Sequence, residues 1–546
     1  MESQRSFLFI ALMVVTFLLY QQWQLDNSPV QQPEANSNTL DSTVPNATSN
    51  NDDFVPESST TNTPIAKPTI ARAAVVEVTT DVLKLKINTQ GGDIVEATLL
   101  AYETEQGSGI PFTIMQDGNF KYIAQSGLTG AQGIDRTVKG RPIYQVDNTH
   151  YELSGEQPLV IDLSYTTDNG LAVIKRFTFE KSSYKVAVDY LIENNSNSAA
   201  SVELYAQLKQ STLVDQSSAL IPTYRGAAYS TKEDKYEKFK FDEFSEEKLN
   251  VTTQGGWVAM LQHYFVSSWV PNQTEANLLY TSFSNNQNAV IGFKSPALII
   301  EPAQQKMASA TFYVGPKDQD SLAEIADGLE LTVDFGFLFM ISQPLHWLLL
   351  QIQALVVNWG IAIIIITIIV KGVMYPLTKA QYTSMAKMRE LAPKMAQLKE
   401  RFGDDRQKMS QATMEMYRKE KVNPAGGCLP LLIQMPIFLA LYWVFLESVE
   451  LRHAHFGLWL QDLSSKDPLF ILPILMGISM FIMQKMQPMT VQDPMQQKIM
   501  QYMPVMFTVF FFWFPSGLVL YWLVSNVISI IQMKIIFAGI EKKKNS

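Results

Sequence analysis

Between residues 71 and 328 apolar and polar side chains alternate with period two. Val82, Leu83, Leu85 and Ile87 open the pattern. Ile174, Phe177 and Phe179 continue it, and Tyr184, Val186, Val188, Tyr190 and Ile192 then alternate with polar neighbours. Gly91-Gly92, Asp168-Asn169-Gly170 and Glu193-Asn194-Asn195-Ser196 punctuate the runs as turns. Many short alternating strands with turns between them predict an all-β antiparallel sandwich. Residues 26–70 are Ser, Thr, Asn, Pro and Gln with few large apolar side chains. They cannot bury enough surface to offset their ordering entropy, which predicts a flexible linker. Residues 1–25 hold an uncharged run, Ser6 to Tyr20, behind Arg5 and without a small-x-small cleavage site. This reads as an uncleaved signal anchor.

Beyond residue 328 the apolar positions merge into long uncharged runs. Residues 329–350 are interrupted by Asp334, Gly336, Gln343, Pro344 and His346, a pattern that suits an interfacial helix. Further spans are expected at 351–375, 428–446, 469–486, 499–514 and 518–534. The last two come from one run, Tyr502 to Met533, that contains Pro515-Ser516-Gly517. A straight helix over that run exceeds the roughly 30 Å hydrocarbon core, so a tight hairpin is expected at the Pro-Ser-Gly. With the anchor, six spans result. Between two of them, residues 376–427 carry Met385, Met388, Leu391, Met395, Leu398 and Phe402 at spacings of three and four. Gly403-Asp404-Asp405 follows, then Met409, Ala412 and Met416, the pattern of a helical hairpin.

Charge sets the orientation. Residues 21–346 hold 39 acids and 22 bases, and residues 347–546 hold 12 acids and 20 bases. The 376–427 hairpin has 11 bases against 6 acids, and the 535–546 tail ends in Lys542-Lys543-Lys544 before Asn545. The positive-inside rule makes both cytoplasmic, with both termini inside. The loop at 447–468 and residues 21–346 then face the other side, and 487–498 is a second cytoplasmic loop. The acidic exported region argues against nucleic acid as its partner. Cys428 is the only cysteine, so no intrachain disulfide forms.

Candidate chemistry is sparse. There is no phosphate loop, no zinc-protease motif and no arguable catalytic triad. His453 and His455 form an H-x-H pair, which alone is not a metal site. No cofactor, metal or catalytic residue is expected, and the chain does not read as an enzyme. Apart from Lys485 and Lys534 at the ends of their spans, Lys371 is the only Asp, Glu, Lys or Arg within the predicted bundle. It lies near a span end, where it can snorkel to the interface or face a wet groove. Thr367 is one turn away on the same face. Gln434, Ser479, Thr508, Ser525 and Asn526 are scattered over the other spans. Each suits either that groove or an interhelical hydrogen bond. Of 24 methionines, 17 fall between Met374 and Met506, as in adaptable contact surfaces or ordinary packing. The residues alone leave open a secondary transporter for a small anion and an anchored sensor whose β domain binds a ligand.

Several motifs carry a resemblance. Tyr375-Pro376-Leu377-Thr378-Lys379-Ala380-Gln381, Asn423-Pro424-Ala425-Gly426-Gly427-Cys428-Leu429-Pro430, Asp493-Pro494-Met495-Gln496-Gln497-Lys498 and Phe514-Pro515-Ser516-Gly517-Leu518 resemble the YidC/Oxa family of membrane protein insertases, in its Gram-negative form. The resemblance implies an inner-membrane bundle with a five-span core, a periplasmic β domain and a cytoplasmic hairpin. It implies insertion and folding of integral membrane proteins without ATP hydrolysis, alone or with the Sec translocase. The groove it implies holds a cation, at Lys371 here, with Thr367, Gln434 and Trp522. Its apolar slide positions fall on Phe438, Met476 and Phe510. Relatives usually carry arginine at the cation and often tyrosine at Trp522. The partners implied are nascent membrane proteins, SecYEG and SecDF, lipids, and the ribosome and signal recognition particle pathway through hairpin and tail.

Overall fold

The computed structural model describes residues 56, 73–118, 120–135, 140–213, 224–284, 287–402, 406–420, 429–486 and 494–545. The expected anchor and, apart from Pro56, the linker lie outside the described residues. So does most of the 487–498 loop.

Strands from Val75 to Pro316 build two sheets, one of eleven strands and one of eight. Pairing is antiparallel except where Val75–Thr79 runs parallel to His150–Glu152. The period-two reading holds locally: Leu83–Asn88 alternates buried and half-buried residues along its length. Val76, Leu85 and Ile87 of the larger sheet meet Val173, Phe177, Val188 and Phe312 of the smaller one in a single core.

One inward position in that core is charged. In Leu171–Phe179 the buried register is Leu171, Val173, Lys175, Phe177 and Phe179. Lys175 Nζ crosses to the other sheet and donates to the carbonyls of Gly91 (3.0 Å), Gly92 (2.8 Å) and Ser126 (3.1 Å). Gly91 and Gly92 have φ of 74° and 65°, which lets two successive carbonyls turn toward the ammonium. A Cβ on Gly92 would sit 2.8 Å from the lysine stem. Beside it Arg141 pairs with Asp93 and, at 3.0 Å, with Asp135. Burial pushes the Lys175 pKa down to about 7, against the pull of Asp93.

The remaining chain is helical: α1 Phe339–Val356, α2 Trp359–Val373, α3 Tyr375–Glu390, α4 Ala392–Phe402, α5 Arg406–Lys419, α6 Leu429–Glu447, α7 Ile471–Met486, α8 Pro494–Phe510 and α9 Ser516–Asn545. Val357, at φ 55°, ends α1, and the Asn358 side chain accepts from Ile361 N (3.0 Å) to start α2. α9 packs on α2, α3 and α7, while α1 packs on α2 and α6 and α7 on α8. Their shared core contains Leu349, Ile363, Ile366, Leu441, Phe445, Met476, Phe511 and Tyr521.

Length and composition alone pick out fewer than six spans among the described residues. Gly336–Val356 and Ser516–Lys542 qualify outright, and Trp359–Val373 with Tyr375–Glu390, bent by 65°, adds a third. Gln434–Glu447 and Ile471–Met486 are shorter apolar helices. Gly336–Val356 includes most of the segment expected to be interfacial. The Pro-Ser-Gly turn does separate α8 from α9, through a short 3-10 turn at Phe511–Trp513. α9 then continues through Asn545, so the segment expected as a separate tail prolongs the helix. The hairpin differs as well. Its first arm was expected as one stripe, but it breaks between Glu390 and Ala392. Pro393 cannot donate to the Arg389 carbonyl and its ring crowds that oxygen, so a new helix starts there.

The loop between α6 and α7 ties the two parts together. Val449 is buried in the β-sandwich core. Glu447 pairs with the buried Lys317 at 3.7 Å, and burial lowers the Lys317 pKa against the pull of Glu447. Arg452 donates to the carbonyls of Glu103 and Thr104 and lies over the rings of Phe112 and Phe265 (5.3 and 5.5 Å). At the other edge the loop is stitched to the first turn of α9. Ser516 N donates to Ser465 O (2.7 Å), Gly517 N to Leu463 O (2.9 Å) and Ser516 Oγ to Asp462 O (2.8 Å). The Asp467 carboxylate accepts from Leu469 N and Leu472 N, capping α7.

His263 completes this junction. Its Nε2 lies 2.8 Å from Leu446 O, so the nitrogen must carry a proton and donate. Burial pushes its pKa from 6.5 down to about 4. The unfolded or detached state therefore binds more protons between those pH values. Junction stability is complete above pH 6.5 and is lost as pH falls toward 4. Each unit of separation is worth about 1.4 kcal/mol. Hydrogen exchange at residues 446–452, corrected for intrinsic rates, should accelerate as pH drops from 6.5 to 4. His263→Asn keeps a donor without titrating and should flatten that acid dependence.

Candidate functional site

α2 is apolar for most of its length and ends at a break. Pro376, at the start of α3, has no N–H for the Gly372 carbonyl, and the axis turns by 65°. Lys371 stands just before this break with 6% of its surface exposed. Its Nζ donates to Ser529 Oγ at 3.0 Å, and Ser529 Oγ donates to Ser525 O at 2.8 Å. Gln532 Nε2 donates to the Lys371 carbonyl at 3.3 Å. No carboxylate pairs with Lys371 among the described residues.

The polar patch extends across the bundle. Asn526 Nδ2 donates to Ser479 Oγ (2.9 Å), linking α9 to α7. Thr367 is fully buried and returns its hydroxyl to Ile363 O (2.6 Å) on its own helix. Beside α3, Tyr382, Met385, Met533 and Ile536 close a small cluster with Met388, Met483 and Met486 against it. These methionines from α3, α7 and α9 surround the end of the bundle that holds the lysine.

The structure places the other expected site residues in two different surroundings. Gln434 is half-buried on α6. Trp522 joins aromatic residues, with ring centroids 4.5 Å from Phe438 and 4.6 Å from Phe511. It thus stands with a slide residue and not in the hydrogen-bonded patch around Lys371. Met476 is fully buried in the helical core, whereas Phe510 is 53% exposed. Phe438 lies between these extremes. Ser529 and Gln532 were not singled out from sequence. Ser525, Ser529 and Gln532 nonetheless recur at intervals of four and three in an uncharged run, which marks one helix face.

Close packing holds α7 to α8 here. A Cβ on Gly477 would lie 1.9 Å from Thr508 Oγ1, whose hydroxyl donates to Pro504 O (2.8 Å). Only glycine lets these helices approach at that point.

Comparison with known proteins agrees with this two-part architecture. The YidC periplasmic domain family model matches residues 75–348, and the 60Kd inner membrane protein model matches residues 351–544. The membrane protein insertase YidC of Shewanella sp. (strain MR-7) is 54% identical over 546 residues, 100% of this chain and 99% of the relative. The chain belongs to the YidC family of membrane protein insertases. The insertase of Pseudoalteromonas atlantica is likewise 54% identical, over 545 residues, 100% of this chain and 99% of that relative. A crystal structure of an active YidC insertase with its first transmembrane domain resolved is 19% identical. It covers 86% of this chain and 93% of its own, with a TM-score of 0.37. Membership makes this an inner-membrane protein with a periplasmic domain, here the two-sheet unit, and transmembrane helices.

The Gly477 contact is testable independently of activity. Gly477→Ala should cost about 1–3 kcal/mol from overpacking, read as a lower denaturation midpoint in mixed micelles. Thr508→Ala in the same chain should recover most of the loss, because it removes the clashing hydroxyl.

Proposed function

We propose that the chain inserts and folds membrane proteins, alone or with the Sec translocase, by lodging the polar end of a substrate in a groove around Lys371. The observation that carries this reading is a buried ammonium at Lys371 with one side-chain hydrogen bond and no acidic partner among the described residues. Such a cation is costly to keep in an apolar bundle unless anions come to it. An acidic tail crossing lipid loses water from its charges. A wet, polar groove shortens that dry path, and a cation there attracts the tail in a reduced dielectric. The apolar part of the substrate then leaves sideways into lipid past Phe438 and Phe510, driven by hydrophobic transfer. No nucleotide is needed.

In this reading six spans place the β domain in the periplasm, and the α3–α5 segment and the carboxyl end in the cytoplasm. Lys371 then lies at the cytoplasmic end of the bundle, beside the methionine cluster. The basic hairpin and carboxyl end suit ribosomal RNA phosphates and the signal recognition particle pathway. The periplasmic domain suits contact with SecDF and SecYEG. Gln434 would line the groove with the buried Thr367 behind it, while Trp522 would lie where groove and slide meet.

The test uses purified chain in proteoliposomes and a two-span substrate whose exported tail carries Asp or, in a control, Asn. Lys371→Ala should lower insertion of the Asp substrate several-fold and the Asn substrate little. Lys371→Arg should keep the wild-type preference. Equal insertion of both substrates by wild type and Lys371→Ala would leave Lys371 as a snorkelling residue only.

A further inference from the structure

Lysine is a poor fixed cation. Its four-carbon stem is flexible, and near a helix end the ammonium can leave the bundle for the interface. Lys371 stands at such an end, two residues before α2 stops at Val373. Yet it is 6% exposed, and its ammonium points at α9. Two residues of α9 meet it, three positions apart and so on one face of that helix. Ser529 takes the ammonium at 3.0 Å, and Gln532 holds the backbone carbonyl at 3.3 Å. The second contact falls where the proline break disturbs regular helix bonding, and it fixes where the lysine stem begins. Ser529 is itself held, because its hydroxyl proton goes to Ser525 O (2.8 Å), which leaves its oxygen to accept from the ammonium.

We infer that Ser529 and Gln532 form a two-point clamp that keeps Lys371 inside the bundle, making them positioning residues for recognition of acidic substrate tails. This rests on the groove reading of Lys371. It also explains how a lysine serves where an arginine could hold itself. A guanidinium has five donors on a rigid fork and needs less help to stay among polar acceptors. The clamp consumes one ammonium proton and leaves the others for an arriving carboxylate. An anion therefore need not displace Ser529, so clamping and substrate binding are compatible.

The experiment uses the full chain in proteoliposomes with the Asp-tail and Asn-tail substrates, and reads the ratio of their insertion. A second readout is acylation of Lys371 by a membrane-impermeant amine-reactive ester, quantified by mass spectrometry. In Ser529→Ala the Asp/Asn ratio should fall at least three-fold and Lys371 acylation should rise several-fold. Gln532→Leu should do the same to a smaller degree. Ser529→Thr keeps the hydroxyl and should stay near wild type. Adding Lys371→Arg to Ser529→Ala should restore the ratio, which a folding defect would not allow. An unchanged ratio and unchanged acylation in both Ser529→Ala and Gln532→Leu, with the ratio still lost in Lys371→Ala, overturns the clamp and leaves the groove standing. Loss of both substrates together in Ser529→Ala, without rescue by Lys371→Arg, also overturns it, as a purely structural role. A ratio indifferent to Lys371→Ala removes the groove reading, and the clamp with it.

Discussion

The structure turns on the cost of keeping a cation dry. A lysine moved from water into an apolar interior must be neutralised, paired or wrapped in dipoles. Two of the chain's buried lysines meet this cost by different means. Lys175 in the β domain is wrapped by three carbonyls, with two carboxylates and an arginine nearby. Its dipoles come from a rigid pair of positive-φ glycines, and the result is a closed structural site joining two sheets. Lys371 has one hydroxyl and no carboxylate among the described residues. The first site is satisfied from within the domain. The second has no carboxylate of its own among the described residues, and that difference is what the proposed substrate-binding role of Lys371 rests on.

Geometry elsewhere preserves the contrast. The loop of residues 447–468 is bonded into the start of α9, caps α7 through Asp467, and sends Val449 into the β core. These contacts close one end of the bundle and fasten it to the sandwich. At the other end α2 breaks by 65°, and buried and half-buried methionines of α3, α7 and α9 pack together there. Methionine packs without fixed geometry and tolerates varied neighbours. The bundle therefore has one rigid end and one adaptable end, and Lys371 lies at the adaptable one.

Much of this was legible in the sequence because period and charge are local signals. Alternation across Ile174–Phe179 and Tyr184–Ile192 marked real strands, and Pro515-Ser516-Gly517 marked a real turn. What escaped depends on three-dimensional partners. Lys175 sits in the inward register although Ile174 beside it looks the better core residue. Only the approach of Gly91 and Gly92 from another sheet makes that possible. The stripe from Met385 to Phe402 hid the break at Pro393, since apolar spacing survives a change of helix axis. Met476 and Phe510 have the same apolar character, yet one is core and the other surface, which no single-residue property distinguishes. Trp522 sorted with Phe438 and Phe511 because its ring finds more area there than a polar patch offers. Ser529 and Gln532 carried a periodic signal that is weak for two small polar residues in a span, where ordinary interhelical hydrogen bonds look identical.

The position of Lys371 resolves a conflict between its two possible fates. A lysine at a helix end minimises its own cost by snorkelling, and one at the middle of a span cannot be reached from water. Neither arrangement gives a cation that is both dry enough to attract a carboxylate strongly and near enough to water to be charged. Placing the lysine two residues inside the end of α2, at a proline break, gives an intermediate depth. That depth is not a free-energy minimum for the side chain alone, so it has to be imposed. α9 imposes it from the side, through Ser529 and Gln532, and α9 is itself fixed at its far end by the loop that the β domain grips. The chain of constraint runs from the sandwich through Val449 and Ser516 to the helix that holds the lysine. The β domain and the polar patch around Lys371 are therefore mechanically continuous, although they lie at opposite ends of the bundle.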